Sequence, residues 1–521
     1  MVRGRVRQTS HCLEGREPMG NRLRCPAWRW MILVIITLVS ALPAAAQPLE
    51  ERVVEHTLKN GMKFLFVERR VAPIFTGEIV FRAGGVDEQV GATGLAHMLE
   101  HMAFKGTRAI GTRNYRKEKP LLDAMDRVAK DLARERARGS AADEKRIEAL
   151  EREMKRLQEQ ASEYSDGEEF SAIYTRNGGA GLNAGTSKDI TAYHVSLPSN
   201  RLELWALMES QRMAEPVLRE FYVERDVVAE ERRRTYDSSP DRKLYEQLVA
   251  TAYTAHPYGV PIIGWMSDIQ SLTADQARAF HKTYYVPGNA VAALVGDIDI
   301  PQAIRVVEKY FGGIPAGPPP PPVVTVEPPQ AGERRVNVVF DAEPQVMIAY
   351  HKPTAPHPDD TAFDVLHGLL AGGRTSRLYT SLVKEKRIAA GVGGLGGPGS
   401  RYANLWGVQA YPLAPHTTGE VEQAIYAEFE RLMREPVPER ELQKVKNQLD
   451  ADFVRGLSSN RGLASQLTYY EAVVGDWRYL TRWREMIAQI TPEDLQRVAR
   501  KYLVPENRTV ATLVRKESAG Q

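Results

Sequence analysis

Between residues 118 and 163 the apolar positions fall into two short series. Leu121, Met125, Val128 and Leu132 recur at spacings of four, three and four; after a break at RGSAAD (138–143), Ile147, Leu150, Met154 and Leu157 recur at three, four and three. That is a heptad seam, so the stretch predicts an antiparallel helical hairpin whose charged positions face solvent. Elsewhere the short β-rich runs KFLFVE, FTGEIVFRAG, ITAYHVSL, VAALVG, VNVVF and VMIAYH alternate with stretches of helical period. Such a pattern predicts a mixed α+β chain, each of its sheets antiparallel-rich and packed by helices.

The pattern also repeats. SLTADQARAFHKTYYVPGNAVAALV (271–295) and QITPEDLQRVARKYLVPENRTVATLV (489–514) each read as a capped helix that ends at Val-Pro and runs into an apolar strand. Thr273 and Thr491 are the expected N-caps, each with a polar partner three residues on, Gln276 and Asp494. The offset is 491 − 273 = 218. A second pair, GLAHMLEHMAFKGT (94–107) and AFDVLHGLLAGGRT (362–375), stands at 375 − 107 = 268, so the first half needs an insertion of 268 − 218 = 50 residues. The hairpin, about 115–168, supplies it. Between the halves lies GGIPAGPPPPPVVTVEPPQAGE (312–333), whose consecutive prolines Pro318 to Pro322 favour an extended, semi-rigid spacer. The expected organisation is therefore a first half over 47–313, a linker over 314–332 and a homologous second half over 333–521.

At 521 residues, 43% hydrophobic and 26% charged, the chain is long enough for two globular cores. Arg22, Arg24 and Arg29 precede the apolar run MILVIITLVSALPAAA, which predicts a secretory leader over 1–46, cut after Ala46. Met19 is a second possible start. An uncleaved anchor is the alternative, for which the run is shorter than the roughly 20 residues a membrane span needs. Both cysteines, Cys12 and Cys25, fall in that leader, so the expected mature chain has no disulfide, no thiolate catalysis and no cysteine ligand. A formal charge of +3, without a basic tract beyond the leader, argues against nucleic acid as a partner.

The chemistry concentrates at HMLEH, 97–101. On a helix, His97 and His101 lie about 40° apart and can both reach one ion. Glu100 lies on the flank of that face, where a carboxylate can act as a general base beside a metal without binding it. In isolation the five residues are more readily read as two partly buried histidines bonded to backbone; a catalytic zinc site normally needs a third protein ligand. FYVERDVVAEERRR (221–234) offers one: Glu224 and Glu231 are seven apart and share a helix face within about 20°, with Val227 and Val228 marking a packed flank. Glu231 suits a ligand and Glu224 a supporting carboxylate. The spacing alone does not choose Glu231 over Glu230. His194, His256, His281, His351 and His367 are scattered singly and read as ordinary surface or core histidines. The glycine-rich GGR (372–374) and GGLGG (393–397) match no phosphate loop and read as bends near a cleft.

In order, HMLEHMAFKGT, LNAGTSKDITAYHV (182–195), ERDVVAEE (224–231), HPYGVPIIGWMSDIQSLT (256–273) and YYVPGNAVAALVGD (284–297) resemble the pitrilysin/insulinase family of inverted (HxxEH) zinc metallopeptidases. The resemblance covers nearly the whole expected mature chain. It implies a clamshell of two homologous α+β halves and Zn2+ as cofactor, with His97, His101 and Glu231 as metal ligands, Glu100 as base and Glu224 as assisting acidic residue. The interval between His101 and Glu231 exceeds the family's usual one by about the fifty residues that the repeat offsets assign to the hairpin. The resemblance also implies an edge strand bearing Asn183 and Ala184 that pairs with substrate backbone.

The second half departs from the pattern. LVKEKRIAAGV (382–392) puts Lys384 near the family's substrate-binding Arg, and Ala390 or Gly391 where a Tyr is expected. The expectation is a periplasmic or secreted endopeptidase for extended peptides or small unfolded polypeptides. It would form the zinc-bearing subunit of a dimer, with a homologous subunit carrying the Arg/Tyr pair or with itself. The competing expectation is a non-catalytic scaffold or partner subunit that retains the fold.

Overall fold

The computed structural model describes residues 48–515; the expected leader and both cysteines lie outside them. Of the described residues, 48–51, which begin the helical turn Leu49–Arg52, fall in one unit and 52–515 in a second.

The larger unit holds two sheets. The first contains β1 (Val53–Thr57), β2 (Lys63–Glu68), β3 (Ile74–Phe81), β4 (Ala180–Thr186), β5 (Thr191–Pro198) and β6 (Ala290–Gly296), in the order β1-β2-β6-β3-β5-β4. The second contains β7 (Arg334–Phe340), β8 (Gln345–Lys352), β9 (Ala389–Gly397), β10 (Asn404–Pro412) and β11 (Arg508–Arg515), in the order β7-β11-β8-β10-β9. Without β1 the two orders are the same. In each, the half's last strand slots between its first two, parallel to one and antiparallel to the other: β6 between β2 and β3, β11 between β7 and β8. The duplication expected from the repeats is thus present in the topology.

The helices that carry the site and join the halves are α1 (Leu95–Met102), α2 (Tyr115–Arg136), α3 (Glu144–Ser162), α4 (Phe221–Arg232), α5 (Pro240–Ala252), α6 (Ala274–Tyr284), α7 (Pro358–Ala371), α8 (Asn460–Val473) and α9 (Pro492–Tyr502). Helices α6 and α9 open on the capping boxes Thr273/Gln276 and Thr491/Asp494. Each then ends in a Val-Pro turn whose Asn side chain ties the helix end to a neighbouring strand. Asn289 Nδ2 donates to Tyr284 O (2.9 Å) and Arg82 O (3.1 Å), and Asn507 Nδ2 to Tyr502 O (2.9 Å) and His351 O (2.8 Å). Helices α2 and α3 pack against one another as the inserted hairpin, with Met125, Leu132, Leu150, Met154 and Leu157 buried in its seam.

One sequence expectation is corrected here. GGLGG is the end of strand β9, laddered to β10 from Leu405/Gly397 onward; its glycines carry no side chains to show the strand's alternation. In the Pro-rich linker, Glu327 accepts the backbone N–H groups of Thr254, Ala255 and His256 at 2.9 to 3.0 Å.

The halves exchange helices. α5 of the first half packs across β7, β8 and β11, and α8 of the second half packs across β3 and β6. In β8, Val346, Ile348 and Tyr350 face the second half's own helices, while Met347 and Ala349 join α5 residues Leu244, Leu248 and Val249. Burial on both faces explains why VMIAYH is a continuous apolar run.

Candidate metal centre

Helix α1 is built to face two ways. Leu95, Ala96, Met98, Leu99 and Met102 are buried, which leaves His97, Glu100 and His101 on the opposite face. Its start is fixed by Gly94 in the left-handed region (φ 86°), where a Cβ would meet Ile263 O at 2.4 Å. The Glu88 carboxylate accepts the N–H groups of Gly94 (2.9 Å) and Ala96 (2.8 Å), satisfying donors that the helix leaves open.

Helix α4 brings the third carboxylate. Glu231 Oε2 lies 3.8 Å from His97 Nε2 and 3.6 Å from His101 Nε2, and the three donor atoms all fall within 4.8 Å of one another. A zinc ion bound at about 2.0–2.2 Å can hold donors up to ~4.4 Å apart, so the two measured pairs fit one ion. The two imidazoles and one carboxylate are also a donor set of the kind catalytic zinc takes. Glu230, the alternative left open by spacing, is exposed and turned to Arg233 at 2.9 Å.

The remaining residues hold these in place. Glu224 Oε1 pairs with His101 Nδ1 at 2.8 Å, which turns the ring's Nε2 towards Glu231. Its other oxygen takes Lys105 Nζ at 2.9 Å. Burial opposes charge on Glu224, yet hydrogen bonds from His101 and Lys105 hold its carboxyl down at about 2. Burial also opposes charge on His101, but Glu224 outweighs it and raises its pKa. Partial burial and the neighbouring His101 push His97 down to about 4, which favours its neutral imidazole. Burial raises the Glu100 carboxyl, whose Oε2 accepts the Thr186 hydroxyl at 2.5 Å.

Thr186 ends β4, an edge strand that pairs only with β5 in its sheet. On it Asn183 stands opposite His194 and is exposed, and Ala184 stands opposite Tyr193. The structure therefore brings His97, Glu100, His101, Glu224, Glu231 and the β4 edge together. Lys384 is exposed in the second half, with its ammonium 5.7 Å from the centroid of the Tyr379 ring. Val227, expected to be packed, is 47% exposed, whereas Val228 is buried. Sequence reasoning missed Lys105 and Thr186. Lys105, one helical turn beyond His101, carried a signal; Thr186 acts through a tertiary contact and carried none.

Residues 65–120 and 137–265 match the family described as insulinase (peptidase family M16), and residues 271–449 match the peptidase M16 inactive domain. The chain belongs to the insulinase family of peptidases. It is 29% identical to the zinc protease PqqE of Helicobacter pylori over 92% of this chain and 96% of that one. It is 24% identical to the probable mitochondrial-processing peptidase subunit beta of Schizosaccharomyces pombe over 85% and 87%. Among solved structures, a protease from Helicobacter pylori superposes with a TM-score of 0.74 at 28% identity, over 89% of this chain and 99% of that one. The periplasmic protease PqqL of Escherichia coli, at 17% identity and a TM-score of 0.67 over 91% and 48%, shares the fold. Among the described residues of this family member, no helix is long and apolar enough to cross a membrane.

Proposed function

We propose that the chain is a zinc-dependent endopeptidase acting on extended peptides or small unfolded polypeptides. The observation that carries this reading is the convergence of His97, His101 and Glu231 beside a Glu100 carboxyl held at the end of an open strand edge. When bound, zinc supplies Lewis acidity that activates water and polarises a peptide carbonyl. A peptide paired with β4 along Asn183 and Ala184 is guided towards Glu100, because Thr186, two residues further on that strand, holds the carboxyl. Glu100 takes the proton of the attacking water and delivers it to the leaving amine. Glu224 keeps the His101 ring oriented throughout.

The second half offers Lys384 in place of the family's Arg, and Ala390 or Gly391 where the family's Tyr is expected. The chain accordingly serves as the zinc-bearing subunit of a dimer, its partner a homologous subunit with the Arg/Tyr pair or a second copy. The apolar leader directs it to the periplasm or outside the cell, consistent with the Escherichia coli neighbour described as periplasmic.

The test is peptide hydrolysis by the purified, zinc-loaded protein, with and without a co-expressed homologous subunit. Wild type is expected to cleave, and Glu100→Gln to bind zinc equally while losing at least ~100-fold in kcat. Zinc binding without hydrolysis in either arrangement would favour the scaffold reading.

A further inference from the structure

The turn that joins β4 to β5, residues 187–190, is fixed from three directions. Within the first half, Ser187 O and Lys188 O accept the N–H groups of Gly85 (3.1 Å) and Val86 (2.8 Å), and Lys188 Nζ donates to Val260 O. The third hold comes from the second half. Asp189, 2% exposed, accepts Ser400 N–H at 2.6 Å and Arg401 N–H at 3.3 Å on Oδ2, and the Tyr258 hydroxyl at 2.6 Å on Oδ1. The Tyr258 oxygen in turn accepts the N–H groups of Ser400, Arg401 and Tyr402 at 3.1 to 3.2 Å. Gly399 closes on that ring so tightly that a Cβ would overlap it. Three successive N–H groups of the turn between β9 and β10 thus converge on one buried carboxylate and its phenol partner, as such a concavity of donors does on an anion.

A buried carboxylate is costly unless donors compensate it. Moving the second half away would take two donors from Asp189, so its bonds favour the placement of the halves seen here. What the contact fixes lies beside the metal centre. Thr186 and Thr191 are the last pair of the β4–β5 ladder, immediately before and after the turn, and the Thr186 hydroxyl holds the Glu100 carboxyl at 2.5 Å. The partners of Asp189 are Tyr258 and the 400–402 turn, so its influence on Glu100 passes along the backbone to Thr186. We propose that Asp189 is a positioning residue for hydrolysis: bound to the second half, it fixes the 187–190 turn and so sets where Thr186 holds Glu100. The second half thereby helps to place the base through three backbone N–H groups, independently of the segment that carries Lys384. This assignment rests on the peptidase reading.

The experiment is a double-mutant cycle in kcat and KM on Asp189→Ala and Thr186→Val, using the zinc-loaded protein with its homologous subunit if hydrolysis requires one. Asp189→Ala is expected to lower kcat about 10- to 100-fold with KM within about threefold, the scale of a base displaced by a fraction of an ångström. Zinc affinity should stay within about threefold, because Glu224 and not this turn orients His101. In the Thr186→Val background the same change should cost less than about threefold more, since the path to Glu100 is already cut. Asp189→Asn, which keeps the side chain's shape and one carbonyl acceptor, should lose less than Asp189→Ala, and it carries the cycle if the alanine variant does not fold. Lys63→Met breaks a different contact between the halves, Lys63 Nζ to Glu471 Oε1 at 2.5 Å, on the opposite side of the sheet from β4. It should leave kcat within about twofold. Full additivity of Asp189 and Thr186, an unchanged kcat, or an equal loss in Lys63→Met removes the positioning role and leaves the peptidase. Failure of wild type to cleave any peptide removes the peptidase reading and the positioning role with it.

Discussion

Glu224 shows how much a single carboxylate can hold in place. It pairs with His101 Nδ1 and with Lys105 at the same corner, where Lys105 also meets Glu220 at 3.1 Å. Partners of this kind typically contribute 10- to 100-fold to metal affinity. Glu224→Ala is expected to weaken zinc binding by about that factor in a chelator competition while the far-ultraviolet circular dichroism stays native. Unchanged affinity would show that His101 is oriented by other contacts. At this scale the sequence was informative where the chemistry is local: His97, Glu100 and His101 are legible because helical spacing alone puts them on adjoining faces. Between Glu230 and Glu231 the residues were silent, and the choice is made by which carboxylate α4 turns towards α1 and which it turns to Arg233 and solvent.

Among elements, the inserted hairpin is anchored by a buried ion pair. Arg219 Nε meets Glu118 of α2 at 2.9 Å, both side chains 1% exposed, and the guanidinium also donates to Thr107 O (2.7 Å) and Ile110 O (3.1 Å). One cation thus ties the start of α2 to the loop that follows α1. Removing one partner of such a pair strands the other charge away from water, so Arg219→Ala should cost about 3–5 kcal/mol by urea unfolding of the metal-free protein. Pairing it with Glu118→Leu should recover part of that loss. The hairpin itself was legible, since its heptad spacing survives in the charged background. Strands β9 and β4 were not readable from alternation, because AAGVGGLGG and AGLNAGT carry few side chains by which to tell one face from the other.

Across the whole molecule, the linker acts as a strap between halves. Glu327 is bound to the 254–256 turn of the first half, and three residues on, Gln330 donates to Arg508 O of β11 at 2.7 Å. Burial opposes its charge, but the backbone N–H groups of His256, Thr254 and Ala255 and the Thr254 hydroxyl hold the folded pKa at about 2, below its ordinary 4.5. A depressed folded pKa means the anion stabilises the fold fully above pH ~4.5, and that stability is lost as pH falls towards about 2. In the metal-free protein, Glu327→Gln should therefore lose ~1–3 kcal/mol at pH 7, and the gap to wild type should shrink progressively below pH ~4.5. A gap independent of pH would show that the carboxylate's charge is not what holds the strap.

What the sequence determined by itself is what neighbouring residues decide between them: the helical spacing of His97, Glu100 and His101, the capping boxes at Thr273 and Thr491, the hairpin seam, and the repeat that makes two halves. Tertiary structure decided whatever depends on residues far apart in the chain. It placed Glu231 against α1, hung Glu100 from Thr186 and left Val223 and Val227 uncovered in a groove that Glu231 also lines. It also covered each half's sheet with a helix from the other. The reason is physical: helix period and capping act within a turn or two, whereas which apolar face meets which is settled only when every buried surface competes for a partner at once.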